Sequence, residues 1–258
     1  MTRRLALEGI ENFRDFGGYA GRGAQRLKTG RLYRSGHHAR ASDADLEALK
    51  GLGIAVVVDL RRPDERVRDP SRRWDGFGAE IIDSDAEQER TVEWLEFLKS
   101  SDLTVSAFRD YMLDYYRAAP LDPRYLDLYG RYFRSVADSD GAILVHCAAG
   151  KDRTGVVCAL THHLAGVHDD DIVHDYLLTN DPARIEARSS AVGELIFETT
   201  GRRASDEAVR YAIGVHADFL AAAFAAIRAQ FGSIDAYLEQ GLGLGPDLRR
   251  RLHDQLLA

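Results

Sequence analysis

The sequence predicts an α/β fold: a central, mostly parallel sheet flanked by helices. Three observations carry that expectation. Residues 54–59 (Ile-Ala-Val-Val-Val-Asp) and 142–146 (Ala-Ile-Leu-Val-His) are short apolar runs rich in β-branched residues, as strands buried on both faces are. Between and after them lie long stretches with apolar residues at helical spacing. The second run passes through a short turn directly into such a stretch at residues 154–164, a strand–loop–helix order.

The elements follow in chain order. Residues 13–33 read as short strands broken by glycine-rich turns. Ser42 is placed to cap a helix with Asp45 in its first turn. Residues 54–59 form a buried central strand, and residues 79–82 a short third one. From 87 to 119 the pattern turns helical and amphipathic, with Trp94, Leu95, Phe97 and Leu98, then Phe108, Tyr111, Met112 and Tyr115. This insertion reads equally as a helical lid over a pocket or as extra scaffold. A helix over 123–136 precedes the strand at 142–146. After the 154–164 helix come a helix over 169–178 with an acidic first turn, which suits the helix dipole, a break and restart at residues 180–182, an apolar-faced helix over 217–231, and closing segments at 233–238 and 246–257. No repeat, low-complexity tract or long linker divides the chain, so residues 1–258 are read as a single domain large enough to bury a substantial core.

The chemistry concentrates in ten residues, His146 to Gly155 (His-Cys-Ala-Ala-Gly-Lys-Asp-Arg-Thr-Gly). A turn at a strand's end and a helix's start can aim successive N–H groups at an anion, aided by the positive end of the helix dipole. Ala148, Ala149 and Gly150 are small enough for the backbone to curl closely around a ligand. Arg153 offers a planar fork to two phosphate oxygens. The same field favours a thiolate at Cys147 and makes it a candidate nucleophile. Thr154 is placed to donate its hydroxyl to the sulfur, and His146 is read as orienting the loop rather than acting as a base. Cys158, within the following apolar stretch, is read as core.

The pattern Cys-x5-Arg-Thr after His resembles the signature of the cysteine-dependent phosphatase superfamily. The fuller form is similar to an atypical bacterial branch of tyrosine and dual-specificity phosphatases, the mycobacterial tyrosine phosphatase B type among them. Residues 12–19 (Asn-Phe-Arg-Asp-Phe-Gly-Gly-Tyr), 30–36 (Gly-Arg-Leu-Tyr-Arg-Ser-Gly), 53–61 with Glu65 beyond, and Phe231-Gly232-Ser233 with Tyr237-Leu238 extend the likeness over most of the chain. The resemblance implies a dual-specificity-phosphatase-like fold, Cys147 as nucleophile, and Arg153 with the backbone of Ala148, Ala149, Gly150, Lys151 and Asp152 as the phosphate cradle. Lys151 also occurs at this place in phosphoinositide phosphatases, so the implied substrate is a phosphorylated protein or a phosphoinositide.

The general acid stays open. Asp152 is favoured because the loop itself fixes its place. Asp85 or Asp83, at the end of the third strand, and Asp59 are the other candidates; each has an ordinary reading as a turn or orienting residue. Arg14, Arg34 and Arg61 are read as surface ion pairs, or as additions to the field around the loop.

The net charge of −7 argues against general nucleic-acid binding. Local cations act at contact range, whereas distant charges are screened beyond about 8–10 Å. Two cysteines argue against a disulfide scaffold. No signal-like leader or membrane-length apolar run is read, which places the chain in the cytoplasm while leaving export by a non-classical route open. Gly150-Lys151 is followed by Asp with no Gly five before it, so the nucleotide P-loop pattern fails. His162, His163, His168 and His174 lack metal-type spacing and are read as solvated or capping, so neither metal nor organic cofactor is implied. The expected reaction is two-step hydrolysis of a phosphoric monoester, phosphotyrosine first, with phosphoserine and phosphothreonine as further substrates. The rivals are a phosphate-binding pseudophosphatase and a sulfur-transfer enzyme. Oligomeric state is not readable from the sequence.

Overall fold

The computed structural model describes residues 5–86 and 94–258. Residues 87–93 of the proposed lid insertion lie outside the described residues. Five strands form one sheet in the order β1 (Arg14–Asp15), β2 (Leu32–Ser35), β5 (Ala142–His146), β3 (Ile54–Asp59) and β4 (Glu80–Ile82). The β2–β5, β5–β3 and β3–β4 pairings are parallel; only β1 runs antiparallel to β2. The expected class is therefore observed, and β5, which feeds the cysteine loop, lies in the middle of the sheet. Its neighbours place Ser35 and Asp59 beside His146.

The helices are α1 (Asp43–Lys50), α2 (Pro63–Arg68), α3 (Trp94–Ser100), α4 (Val105–Ala118), α5 (Pro123–Asp138), α6 (Asp152–Leu164), α7 (Asp169–Leu177), α8 (Pro182–Thr200), α9 (Asp206–Ile213), α10 (Ala217–Phe231), the single turn α11 (Ile234–Ala236) and α12 (Pro246–Leu256). Ser42 caps α1 in a reciprocal box with Asp45. The Asp45 carboxylate also accepts from the amides of Glu8 and Gly9, which ties the N-terminal segment to that helix.

Strand alternation sorts the apolar residues to two faces. Val56, Val58, Ile143 and Val145 join the larger core with residues of α5, α6, α10 and α12. Val57 and Leu144 face a smaller core of Phe13, Leu46, Leu49 and Trp74. A third cluster stands apart: Phe97, Leu98 and Phe108 pack with Ile196, Val209 and Ile213. The insertion thus divides its packing. Its first part builds a helical cap with α8 and α9, while Met112, Leu113 and Tyr116 of α4 belong to the main core.

Candidate active site

Cys147 follows the last residue of β5 and is 2% exposed. Gly150 has φ +63°, and a Cβ there would lie 2.3 Å from the Ser35 carbonyl carbon, so only glycine fits. The loop's carbonyls are bonded outward. Ala148 O accepts from the His37 amide at 3.1 Å. Gly150 O accepts from Asn12 Nδ2 at 2.6 Å and Arg34 Nη2 at 2.9 Å. A trans peptide sets N–H opposite C=O, so the following amides, of Ala149 and Lys151, are directed to the inner side of the turn.

The anchors of those carbonyls are themselves held. Asn12 adopts the left-handed conformation (φ 57°), tolerable for asparagine, and its Oδ1 accepts from Arg14 Nη1 at 2.5 Å. Arg14 and Arg34 both pair with Asp175 of α7, at 3.4 and 3.0 Å, with all three side chains essentially buried. Burial and the like charge of Arg34 lower Arg14 to about 10. Burial alone would raise the Asp175 carboxyl; Arg14 and Arg34 hold it far below its ordinary range. The reading of Arg14, Arg34 and Arg61 as surface ion pairs is thus corrected: none of the three is more than 2% exposed. Arg14 and Arg34 share the distant Asp175, which local sequence does not reveal, whereas Arg61 pairs with Asp59, two residues before it.

Arg153, in the first turn of α6, forms a bidentate pair with Glu65 of α2, at 2.5 and 2.8 Å. Burial opposes the Arg153 charge, but Glu65 and the phenols of Tyr125 and Tyr115 more than offset it. Burial would raise Glu65 in turn; Arg153 brings it down to about 2. Sequence reasoning quoted Glu65 only as part of a motif and missed this pairing, because the partners lie 88 residues apart.

Beneath the loop, Asp59 accepts from Arg61 Nη2 at 2.7 Å and lies 3.6 Å from His146 Nε2. Burial would raise Asp59; His146 and Arg61 instead hold it well below its ordinary value. His146 stacks on His38 at 4.7 Å, and burial lowers it to about 4. Asp59 is a deeply buried carboxylate committed to Arg61.

Asp152 Oδ1 accepts from the Tyr116 hydroxyl at 2.8 Å, and that hydroxyl also meets the Tyr176 hydroxyl at 2.6 Å. Neither tyrosine was singled out from the sequence; Tyr116 carries only the helical periodicity of α4. Lys151 Nζ donates to Ala212 O of α9 at 2.9 Å and stands 3.6 Å from Asp152 Oδ1. Thr154 is fully buried and its hydroxyl makes no hydrogen bond among the described residues. Asp85 is 91% exposed and pairs with Arg66; Asp83, 44% exposed, also faces Arg66. Their contacts run to α2 rather than to the loop. Cys158 is buried, and burial pushes its thiol up to about 12. Of the four histidines, His168 caps α7, whereas His162 is buried and bonds Phe16 O at 2.8 Å. The solvated-or-capping reading therefore does not hold for His162, whose ring packs between Phe16 and Tyr19. Among the described residues no His, Cys, Asp and Glu cluster is arranged to hold a metal.

The fold thus sets a buried cysteine at the start of a tight turn, with an arginine six residues on paired to a carboxylate. The profile of the Tyrosine phosphatase family matches residues 5–258, and the chain belongs to that family. A Cupriavidus necator protein named as a tyrosine-protein phosphatase is 34% identical over 92% of this chain and 84% of its own. The triple specificity protein phosphatase PtpB of Mycobacterium tuberculosis is 33% identical over 97% of this chain and 98% of its own. A Nostoc commune tyrosine-protein phosphatase is 30% identical over 78% of this chain and 65% of its own. The expected resemblance is borne out, and the chain is a protein phosphatase.

Two outcomes follow from the charge pairs. Glu65→Gln leaves Arg153 buried without its counter-charge and should cost roughly 3–5 kcal/mol, read as a lower urea midpoint. Acid should also weaken the fold. His146 stays neutral in the fold down to about pH 4, against an ordinary 6.5, so the unfolded chain gains the proton first. Stability is full above about pH 6.5 and falls toward pH 4. Glu65, depressed from 4.5 to about 2, adds a further loss below about pH 4.5. Urea midpoints at pH 7, 5.5 and 4 should decline in that order.

Proposed function

We propose that the chain hydrolyses phosphotyrosine, with phosphoserine and phosphothreonine as further substrates, through a cysteinyl-phosphate intermediate. The observation that carries this reading is the Gly150 turn, whose bonded carbonyls leave inward amides beside Cys147. Arg153 and those amides bind the equatorial phosphoryl oxygens, where positioning and electrostatics supply most of the catalysis. Cys147 Sγ attacks phosphorus, the S–P bond forms, and the ester P–O bond breaks with its electrons on the leaving oxygen. Asp152 gives that oxygen a proton. Water then attacks phosphorus, Asp152 takes its proton, the S–P bond breaks and phosphate departs.

The contacts support Asp152 over the other carboxylates in this role. It sits in the loop, where Oδ1 accepts from the Tyr116 phenol and stands 3.6 Å from the Lys151 ammonium, whereas Asp59 is held at 2.7 Å by Arg61 and Asp85 is paired on the surface. Thr154, buried with an unengaged hydroxyl, is available to the sulfur during breakdown of the intermediate. His146, packed against His38 above Asp59, supports the loop from below. Lys151 directs its ammonium to Ala212 O and Asp152. That use of the charge supports a protein substrate more than an inositol headgroup. Both cysteines are free, which suits a reducing, cytoplasmic setting. Among the described residues no single helix is long and apolar enough to cross a membrane.

Turnover of p-nitrophenyl phosphate and of a phosphotyrosine peptide tests the reading. Cys147→Ser should abolish both, and rapid quenching of the wild type should trap a phosphoenzyme. Asp152→Asn should lower turnover of an alkyl phosphate by about 10²–10⁴, with a smaller loss on the p-nitrophenyl ester, whose leaving group needs little protonation. Full alkyl turnover in Asp152→Asn would remove Asp152 from the mechanism.

A further inference from the structure

The rim of the loop carries a charge arrangement that the hydrolysis scheme does not use. Arg184, in the first turns of α8, and Arg188, one turn on, both face Glu11. Arg188 Nη1 donates to both Glu11 oxygens, at 3.1 and 2.9 Å. Arg184 Nε lies 3.3 Å from Glu11 Oε2. The Arg184 side chain is only 7% exposed, yet among the described residues its buried Nε makes no hydrogen bond, and its Nη1 donates to Thr179 O at a long 3.4 Å. A desolvated guanidinium with unused donors is costly and needs a reason.

The position of Glu11 supplies one. Its carbonyl accepts from the Gly36 amide at 2.8 Å, and the next residue, Asn12, holds Gly150 O. The arginines therefore gather at the edge of the catalytic turn. Burial lowers Arg184 against the opposing pull of Glu11, and burial followed by both arginines depresses Lys151. Three cations, Lys151, Arg184 and Arg188, face two carboxylates, Asp152 and Glu11, so the rim holds one positive charge in excess.

We propose that Arg184 and Arg188 form a second anion subsite beside the Cys147 loop, held by Glu11 in this structure. It takes the carboxylate of an acidic residue adjacent to phosphotyrosine in a peptide substrate. The proposal rests on the phosphatase reading and deepens it. A carboxylate is the indicated ligand because the subsite already holds one, with Arg188 Nη1 on both its oxygens and the Arg184 guanidinium 3.3 Å away. Glu11, 42% exposed, is free to swing into solvent when a substrate carboxylate takes its place.

The test compares kcat/KM for two phosphotyrosine peptides that differ only in Glu or Gln beside the phosphotyrosine. Wild type should favour the Glu peptide by about tenfold, the scale of one charge-assisted hydrogen bond, with the preference shrinking as salt rises. Arg188→Gln should bring the ratio near one. Glu11→Gln, a change at a half-exposed position, removes the competing carboxylate and should raise the ratio. Equal kcat/KM for the two peptides in a wild type that turns over p-nitrophenyl phosphate would overturn the subsite while leaving the phosphatase reading intact. So would a preference that survives Arg188→Gln, or one that does not rise in Glu11→Gln. A larger Arg188-dependent gain with a soluble inositol bisphosphate would overturn the peptide assignment. No turnover of p-nitrophenyl phosphate would overturn both readings.

Discussion

The site depends on how the Gly150 carbonyl is held. Two donors from distant segments, Asn12 and Arg34, meet on that oxygen and pull it away from the pocket. Peptide planarity then turns the next amide inward. Without that hold, a glycine at φ +63° would have many alternative conformations to sample, and a cradle of N–H groups would lose its preorganisation. The hold is rigid because Arg34 is fixed by Asp175, which also fixes Arg14, which fixes Asn12. Burying three charges is expensive. Their arrangement leaves two arginines to one carboxylate, a positive excess directly behind the turn, which suits the dianion of the proposed reaction.

The second support is the locked fork of Arg153. A free arginine would sample many rotamers and lose entropy on binding phosphate. Glu65 orders it beforehand at the cost of desolvating both groups. Two separate buried ion-pair systems therefore stand at the loop, a net positive one behind it and a balanced one beside it. The surface can stay net acidic because these contacts act over a few ångströms, well within the screening length.

Much of this was legible in the sequence. The apolar runs at 54–59 and 142–146, each closed by one polar residue, marked strands buried on both faces, and they are adjacent interior strands of the sheet. The ten-residue loop stood out because its spacing is local: cysteine, small residues and arginine lie close together in the chain. Ser42 and Asp45 marked a cap that is present. What could not be read is what folding brings together from afar. Glu65 meets Arg153 across 88 residues, and Asp175 meets Arg34 across 141. No periodicity or spacing encodes such pairs, so arginines that look like surface charges turn out to be buried struts. The helical insertion was recognised as helix, but its partners, α8 and α9, were not, since an apolar face does not name what it packs against.

The most direct measurement is the affinity of wild type and Arg34→Gln for tungstate, a tetrahedral oxyanion, by calorimetry, with Cys147 alkylation as a check on site occupancy. Wild type should bind one tungstate per chain and be protected from alkylation by it. Arg34→Gln, still folded by circular dichroism, should bind at least tenfold more weakly, since the turn loses its anchor at the cost of about one charge-assisted hydrogen bond. Equal affinity in a folded Arg34→Gln protein, or no tungstate binding by wild type, would contradict a cradle shaped by the buried arginines.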